Sequence, residues 1–285
     1  MSQLKPVVRA LRKIQPTMIQ CASPTGSGYD EEWALKLQPG MTYHSVVLRT
    51  NLKHVPTIKR VTLDIGGTPV CYASNVMMNV IDDMTQKFKE TGVFVFDFSK
   101  YEYRSPAGIF QTQLVTNIGD DVTLLIEFDK KGANDPTIPT LKAKAWVTDN
   151  DNAGRMYTPS RYELTQYSAA AGEHTWAFPN GSPHRHIQRI IFKEDMINIS
   201  KIVVKRGARA IHTIYREDLD YDNQRYGEVA LQDGYCLLDF TLFGFGSNGA
   251  MNTAGLSFEF EVDGAGAIKT YVEGFEQVAF PQRAA

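Results

Sequence analysis

Cysteine is scarce in this 285-residue sequence, which contains only three such residues. Cys21, Cys71 and Cys236 lie far apart, and none of them belongs to a C-x-x-C pair. This spacing excludes a disulfide framework and a structural zinc site built on cysteine pairs. We therefore interpret the cysteines as buried or incidental, and we expect the chain to fold in a reducing compartment.

Long apolar runs and an excess of charge of one sign are also absent. No apolar stretch approaches the roughly 20 residues that cross a bilayer, so we expect no membrane-spanning segment. The formal net charge is −2, from 30 basic and 32 acidic residues. Domains that neutralise nucleic-acid phosphates over a whole surface are usually strongly basic. The sequence therefore predicts no sequence-specific nucleic-acid partner, and any basic contact must be local.

Signatures of catalysis and of metal binding are lacking as well. His184 and His186 resemble the start of a cupin metal site, but isoleucines stand at 190 and 191, where that pattern needs a glutamate. The DNDNAG stretch from Asp149 has Ala153 at the fifth position of a calcium loop and a serine at the twelfth. No G-x-S-x-G elbow accompanies the six histidines. We predict no catalytic residue, no enzyme activity and no cofactor; a structural metal ion stays open, with no residue assigned to it.

What the sequence does contain is an internal repeat. GVFVFDFS, from Gly92, recurs as GYCLLDFT, from Gly234, at an offset of 142. IKRVTLDIGGTPVC, from Ile58, aligns with ISKIVVKRGARAIH, from Ile199, at an offset of 141. Two further matches keep this order: TLLIEFDKKG with SFEFEVDGAG at an offset of 134, and Trp33 with Trp176 at 143, where Val47 falls on Ile190. Four matches in one order indicate the duplication of a domain.

The repeated unit is rich in predicted strands. VTLDI alternates apolar and polar residues, TLLIEF and SFEFEV are β-branched and aromatic, and turn residues separate such segments. The first half predicts eight strands, near 31–37, 44–50, 58–65, 68–72, 92–103, 110–116, 121–129 and 140–147. The second half predicts strands near 174–178, 186–192, 199–205, 208–213, 234–243, 256–263 and 267–278, with one or two more between 244 and 255.

A helix interrupts the strands at the same place in each half. Helical spacing of apolar residues predicts a helix over 74–89 that ends before Gly92, and REDLDYDNQRYG occupies the matching slot in the second half. An immunoglobulin sandwich has about seven strands and usually no such helix. The predicted fold class is therefore all-β, with two tandem eight-stranded jelly rolls, a double jelly roll, and short helices.

The predicted domain boundaries follow from the repeat and from composition. We assign 1–30 to an N-terminal basic helix and arm, 31–150 to the first jelly roll, 151–172 to a polar linker and 173–285 to the second jelly roll. MSQLKPVVRALRKIQP places apolar residues on one helical face and four cations on another: Lys5, Arg9, Arg12 and Lys13. Such a helix suits an anionic membrane or nucleic acid. Docking on its own or a neighbouring subunit fits it equally well.

This arrangement resembles the double jelly-roll major capsid proteins of icosahedral phages with an internal membrane, the corticovirus and tectivirus type. The resemblance rests on IKRVTLDIGGTPVCY with its partner ISKIVVKRGARAIH, on GVFVFDFS with GYCLLDFT, and on EFEVDGAGAIKTYVEGF, and it spans most of residues 31–279. It implies a homotrimeric, pseudo-hexagonal capsomer of a virion shell, folded in the host cytoplasm. It further implies contacts with neighbouring capsomers and with minor capsid or vertex proteins. The N-terminal helix would face the interior of the particle, where it meets the lipid of the internal membrane.

Two other functions fit a jelly roll: a carbohydrate-binding protein and, with less support, a bicupin-type metalloenzyme. Solvent-facing aromatic residues in a groove would favour the first, and bound transition metal the second. Asp97 and Asp239 recur in both halves next to phenylalanine, which favours a structural role in accepting hydrogen bonds at a strand edge or bend. Trp33 and Trp176 are interpreted as equivalent core or rim anchors rather than as a sugar-stacking platform.

Overall fold

A computed structural model describes residues 15–102, 109, 111–150, 154–242 and 250–279. The predicted N-terminal helix, with Lys5, Arg9, Arg12 and Lys13, lies outside these residues, so its structure stays a prediction. In the described part of the chain, neither helix is long and apolar enough to span a bilayer.

Two sheets form the first half. Its elements in chain order are β1 (Thr17–Gln20), β2 (Glu32–Leu37), β3 (Met41–Thr50), β4 (Ile58–Ile65), β5 (Thr68–Ser74), α1 (Asn75–Met84), β6 (Val93–Asp97), β7 (Leu114–Val115), β8 (Val122–Phe128) and β9 (Leu141–Asp149). One sheet has the order β1-β9-β3-β6, with β7 beside β3, and the other has the order β2-β8-β4-β5. This alternation of successive strands between two sheets is the connectivity of a jelly roll.

The second half repeats that connectivity. Its elements are β10 (Tyr157–Ser168), β11 (Gly172–Ala177), β12 (Arg185–Lys193), β13 (Ile199–Arg206), β14 (Arg209–Tyr215), α2 (Arg216–Gly227), β15 (Tyr235–Asp239), β16 (Met251–Asn252), β17 (Leu256–Val262) and β18 (Gly266–Gln277). Its sheets have the orders β10-β18-β12-β15 and β11-β17-β13-β14. The predicted double jelly roll is confirmed, and so is the helix predicted from REDLDYDNQRYG.

Alternating side chains build one core in each half. Along β8, Val122, Leu124, Ile126 and Phe128 are buried, while the residues between them are less so. Such period-two patterns place one face of each strand inside the sandwich. Trp33 packs against Phe128 with ring centroids 4.8 Å apart and the ring planes tilted by 32°. The second core is mainly aliphatic, with Phe192, Phe258 and Phe260 fully buried within it.

A glycine with a left-handed backbone explains the repeated motif that begins each fifth predicted strand. Gly92 has φ of 78° and Gly234 has φ of 77°. A Cβ atom on Gly92 would also lie 2.8 Å from the carbonyl oxygen of Thr50. Only glycine adopts this conformation without strain, so the motif needs it in both halves.

The first helix is shorter than predicted. It is capped by Ser74, whose Oγ accepts a hydrogen bond from the amide of Met77 at 3.1 Å. It ends at Met84 rather than at residue 89, because Gln86 adopts a left-handed φ of 53°. Phe88, which falls within the predicted helix, lies beyond its observed end and is 91% exposed.

Two strands lie where the sequence predicted none. The four-residue β1, assigned to the N-terminal arm, pairs with β9. The twelve-residue β10, assigned to the linker over 151–172, pairs with β18 along its whole length. The second jelly roll therefore begins at β10, and the polar linker is much shorter than predicted.

Strand pairing also corrects two matches within the repeat. Val47 lies opposite Val95, and Ile191 lies opposite Leu237, the repeat partner of Val95, so Val47 corresponds to Ile191 and not to Ile190. In the same way, Trp33 lies opposite Ile126, and His174 lies opposite Phe260, the repeat partner of Ile126. His174 is therefore the equivalent of Trp33. Trp176 is therefore two residues beyond the true equivalent of Trp33. It is also less buried.

A close approach of two backbones in the second sandwich, at Gly274, gives a test of this architecture. A bulge in β12 brings the carbonyl oxygen of His186 to within 1.9 Å of where a Cβ on Gly274 would be. We expect Gly274→Ala to lower the free energy of unfolding by about 1–3 kcal/mol, because backbone must move. Gly119→Ala is the control, since no heavy atom lies within 4 Å of its added Cβ. Urea denaturation followed by circular dichroism measures both; equal midpoints for the two variants would contradict the close approach.

Candidate functional site

The two jelly rolls are joined through a continuous sheet, which we call the junction sheet. β10 of the second roll lies parallel to β5 of the first, with Arg161 opposite Cys71. The combined strand order is β15-β12-β18-β10-β5-β4-β8-β2. One sheet of each sandwich therefore belongs to the same hydrogen-bonded surface, which fixes the orientation of the rolls.

Side chains reinforce the parallel pair. The hydroxyl of Tyr72 donates to the carbonyl oxygen of Glu163 at 2.9 Å and accepts from the amide of the same residue at 2.9 Å. The carboxylate of Glu163 accepts from the amide of Ser74 at 3.0 Å. Each of these bonds connects the first roll with the second.

A buried carboxylate, Glu273 on β18, forms the centre of the junction. Its side chain is 2% exposed, and Lys100, which is 4% exposed, contacts Oε1 at 2.7 Å. Arg161 Nε lies 3.1 Å from the same oxygen, and Arg189 Nη1 lies 4.0 Å from Oε2. One carboxylate thus meets three cations from three separate segments of the chain.

The two repeated aspartates lie at the edge of this cluster with different partners. Asp97 contacts Lys87 at 2.7 Å, and its carbonyl oxygen accepts a hydrogen bond from Arg161. Asp239 contacts Arg189 Nε at 2.9 Å and also accepts bonds from the amide and hydroxyl of the residue two positions later, at 2.7 and 2.6 Å. The predicted structural role, accepting hydrogen bonds where a strand ends, fits both contacts.

Charges in this ionic cluster balance between the halves. Arg189 Nη1 lies 3.2 Å from Glu102, which is a second ion pair between the rolls. The first roll contributes two cations and two anions, and so does the second: Lys87, Asp97, Lys100 and Glu102, with Arg161, Arg189, Asp239 and Glu273. A shift between the rolls would leave buried charges without partners. The free-energy cost of such an unpaired ion is on the order of several kcal/mol.

The cluster also sets the ionisation of its members. Burial alone would raise the pKa of Glu273, but Lys100, Arg161 and Arg189 hold that pKa well below its ordinary range. Burial similarly opposes ionisation of Glu102, yet Arg189 and Lys100 lower its pKa. Both carboxylates are therefore charged at neutral pH.

An apolar contact completes the junction. Ile191, Val229, Leu237 and Tyr271 of the second roll belong to the hydrophobic cluster of the first. Ile81 and Met84 of α1 line one cavity with three of them, and the amide of Ala230 donates to the carbonyl oxygen of Met84 at 2.9 Å. The outer face of α1 is therefore buried against the neighbouring roll.

Other residues singled out in the sequence lie elsewhere. The ring of His186 stacks on Phe275, with centroids 4.9 Å apart, and burial lowers the pKa of this histidine. Among the described residues, no group of three or more histidine, cysteine, aspartate or glutamate side chains could hold a metal ion. Sequence interpretation missed Lys100, Arg161 and Glu273, whose only signal is a charged residue next to one aromatic or apolar neighbour: Tyr101, Tyr162 and Val272.

Comparison with known families covers both halves of the chain. A model of the viral coat protein P2 N-terminal domain matches residues 18–148, and a model of its C-terminal domain matches residues 158–278. The chain belongs to the viral coat protein P2 family. It is therefore a capsid protein with a structural role in a virion. A comparison with curated protein sequences finds no match.

Solved structures agree with this coat-protein fold. The major capsid protein P2 from bacteriophage PM2 is 16% identical, with a TM-score of 0.79 over 95% of this chain and 100% of that chain. The Sulfolobus Turreted Icosahedral Virus structure gives 10% identity and a TM-score of 0.66, over 94% and 92% of the two chains. The PBCV-1 virus capsid gives 9% and 0.62, over 91% and 93%. Identities this low show a shared double jelly roll and nothing more specific.

Glu273 allows a sharp test of the junction. We expect Glu273→Gln to lower the free energy of unfolding by about 3–5 kcal/mol, because three cations lose their buried counter-charge. Glu276→Gln on the same strand is the matched control, because Glu276 is 43% exposed and its ion pair with Arg185 spans 3.7 Å; we expect a change of less than about 1 kcal/mol. Urea midpoints at pH 7 compare the two, and similar losses would show that the Glu273 contacts do not stabilise the fold.

Acid should reduce the difference in stability between the wild type and Glu273→Gln. Because the pKa of Glu273 is lower in the folded chain than its unfolded value of about 4.3, its contribution is complete above that pH and is lost as the pH falls towards the folded pKa. The gap in urea midpoint between the wild type and Glu273→Gln should therefore shrink from pH 6 to pH 3. A gap that stays constant over this range would rule out the ionic origin.

Proposed function

We propose that three copies of this coat protein form a homotrimeric capsomer whose six jelly rolls make a pseudo-hexagonal tile of an icosahedral shell. The observation that carries the proposal is the junction itself, since buried ions and a shared sheet hold two rolls side by side as one rigid unit. Three such units related by closed threefold symmetry supply six rolls and cover their lateral surfaces.

The absence of catalysis, the partners and the place of folding are proposed from the resemblance to the same family of capsid proteins. The coat protein performs no catalysis and binds no sequence-specific nucleic acid. Its partners are copies of itself, neighbouring capsomers and minor capsid or vertex proteins of a bacteriophage. It folds in the host cytoplasm before it enters the virion, in agreement with three free cysteines.

The N-terminal segment is proposed to face an internal membrane. Its four cations, Lys5, Arg9, Arg12 and Lys13, are accompanied by no acidic residue in the first twenty positions. Each lysine or arginine near an anionic lipid surface contributes about 1 kcal/mol of attraction. A shell of such chains would present many copies of this segment to the bilayer. Weak binding by each copy is then enough to hold the shell on the membrane.

The oligomeric state tests the capsomer. Light scattering of the purified protein should give three times the chain mass of 31.9 kDa, and electron microscopy should show particles with six lobes. Closed threefold contacts explain both results. A protein that stays monomeric at high concentration would overturn the capsomer.

Vesicle binding tests the membrane contact separately. The full chain should sediment with phosphatidylglycerol vesicles, and a variant with Lys5, Arg9, Arg12 and Lys13 changed to glutamine should bind at least about tenfold more weakly, because four charges of about 1 kcal/mol each are lost. A variant with Lys36, Lys53, Lys130 and Lys131 changed to glutamine has the same net charge and serves as the control, since all four are exposed elsewhere. Equal binding of the two variants, or equal binding to phosphatidylcholine, would contradict the proposed contact.

A further inference from the structure

The second jelly roll exposes the strand that the first one covers. Cys71 on β5 and His212 on β14 are equivalent, because they lie opposite Leu63 and Val204, which the repeat matches. Cys71 is fully buried beside β10. By contrast, β14 is exposed along nearly its whole length, and within the described residues its outer edge pairs with no strand.

The helix that follows shows the same contrast. Six residues of α1 are buried, but only Leu219 and Asn223 of α2 are. Ile81 of α1 lines a cavity with Ile191 of the neighbouring roll, and the repeat offset of 141 puts Asp222 in its place on α2. The second roll therefore carries an equivalent of the junction surface of the first, and no strand of the described chain pairs with the outer edge of its β14.

The first roll carries the complementary surface. Met18, Trp146, Ser45 and Asp97 lie in one row across β1, β9, β3 and β6. Arg161, Glu273, Arg189 and Asp239 lie in the matching row of the second roll. Because Asp97 and Asp239 are repeat partners, Met18 corresponds to Arg161, and β1 corresponds to β10. In the described chain, the outer edge of β1 has no strand beside it.

We propose that β14 of one copy pairs in parallel with β1 of the next copy, with His212 opposite Met18, and that α2 packs over the face of the neighbouring β9, β3 and β6. This proposal rests on the trimer proposed above and specifies its contact. It repeats between chains the arrangement that places Arg161 opposite Cys71 within one chain. Each copy uses β14 once and β1 once, so the contact is head-to-tail, and under the proposed threefold symmetry it closes into a ring.

Exposed groups on the two surfaces complement each other. Glu217 and Asp218, which are exposed, and Asp222, which is half-buried, give α2 an acidic character. The outward residues of the opposing sheet are basic, with Lys142 and Lys144 exposed on β9. Trp146 and Met18 are also unusually exposed on this face, at 38% and 46%. Opposite charges beside exposed apolar side chains are the features of a surface that a second copy would cover.

Disulfide trapping tests the register. In a Cys21→Ala background, Met18→Cys together with His212→Cys should yield a covalent trimer of 31.9 kDa chains on oxidation, resolved by non-reducing electrophoresis and reversed by dithiothreitol. Adjacent strands are about 4.8 Å apart, within the range that a disulfide spans. Each single cysteine variant should give no trimer. Met18→Cys with Ala210→Cys, two residues out of register, is the matched control and should cross-link far less.

Light scattering before oxidation separates the outcomes. A trimer that does not cross-link, or that cross-links equally through Ala210→Cys, overturns the strand pairing and leaves the trimer standing. A protein that is monomeric with and without the substitutions overturns the trimer and this contact together. A disulfide within one chain leaves a monomer on the gel and also overturns the pairing.

Charge exchange provides a second test that needs no cysteine. Asp222→Lys should raise the dissociation constant of the trimer by about tenfold, because it places a cation near Lys144, which lies opposite Val47, the equivalent of Ile191. Lys144→Glu in the same chain should restore most of the affinity, as a direct pair requires. Additive effects of the two substitutions, or no effect of either, would show that α2 does not meet β9 of the next copy.

Discussion

The buried carboxylate of Glu273 is the constraint on which the relation of the two jelly rolls depends. Hydrophobic attraction has no direction, so apolar surfaces alone define an orientation less strictly than paired charges do. Glu273 instead needs Lys100 at 2.7 Å and Arg161 at 3.1 Å, and these partners come from both halves. Any rotation between the rolls would leave an ion buried and unpaired. The angle between the rolls is therefore fixed before any second copy is present.

The two halves are copies in topology but not in chemistry. The row that holds Glu273 and Arg189 in the second roll holds Trp146 and Ser45 in the first. The shared aspartate at its end contacts Arg189 in one half and Lys87 in the other. Duplication thus kept the backbone positions, which the strand ladders and the left-handed Gly92 and Gly234 require. The side chains at these positions have since diverged, and they contact different neighbours in the two halves.

The parts of the fold that the sequence predicts are those with one buried and one solvated face. β8 and β9 alternate cleanly and were predicted, as was the helix before Gly92. β10 was not predicted, because its sequence YTPSRYELTQYS faces the charged junction on one side and the core on the other. Polar residues therefore stand at buried positions, and the alternation of apolar and polar residues is lost. β1 has only four residues. The ionic cluster joins residues as far apart as Lys100 and Glu273, 173 positions, so no local pattern can reveal it.

The same reasoning explains why the contact proposed between chains is more polar than the junction within a chain. The apolar face of α1 is covered within the folded single chain, where Ile81 belongs to the same buried cluster as Ile191 of the neighbouring roll. The equivalent face of α2 must stay in water until another chain arrives, and a large apolar patch there would promote indiscriminate aggregation. Asp222 in place of Ile81 avoids that hazard, while its charge still selects a basic partner surface. Three such contacts closing one ring supply together the stability that each lacks alone.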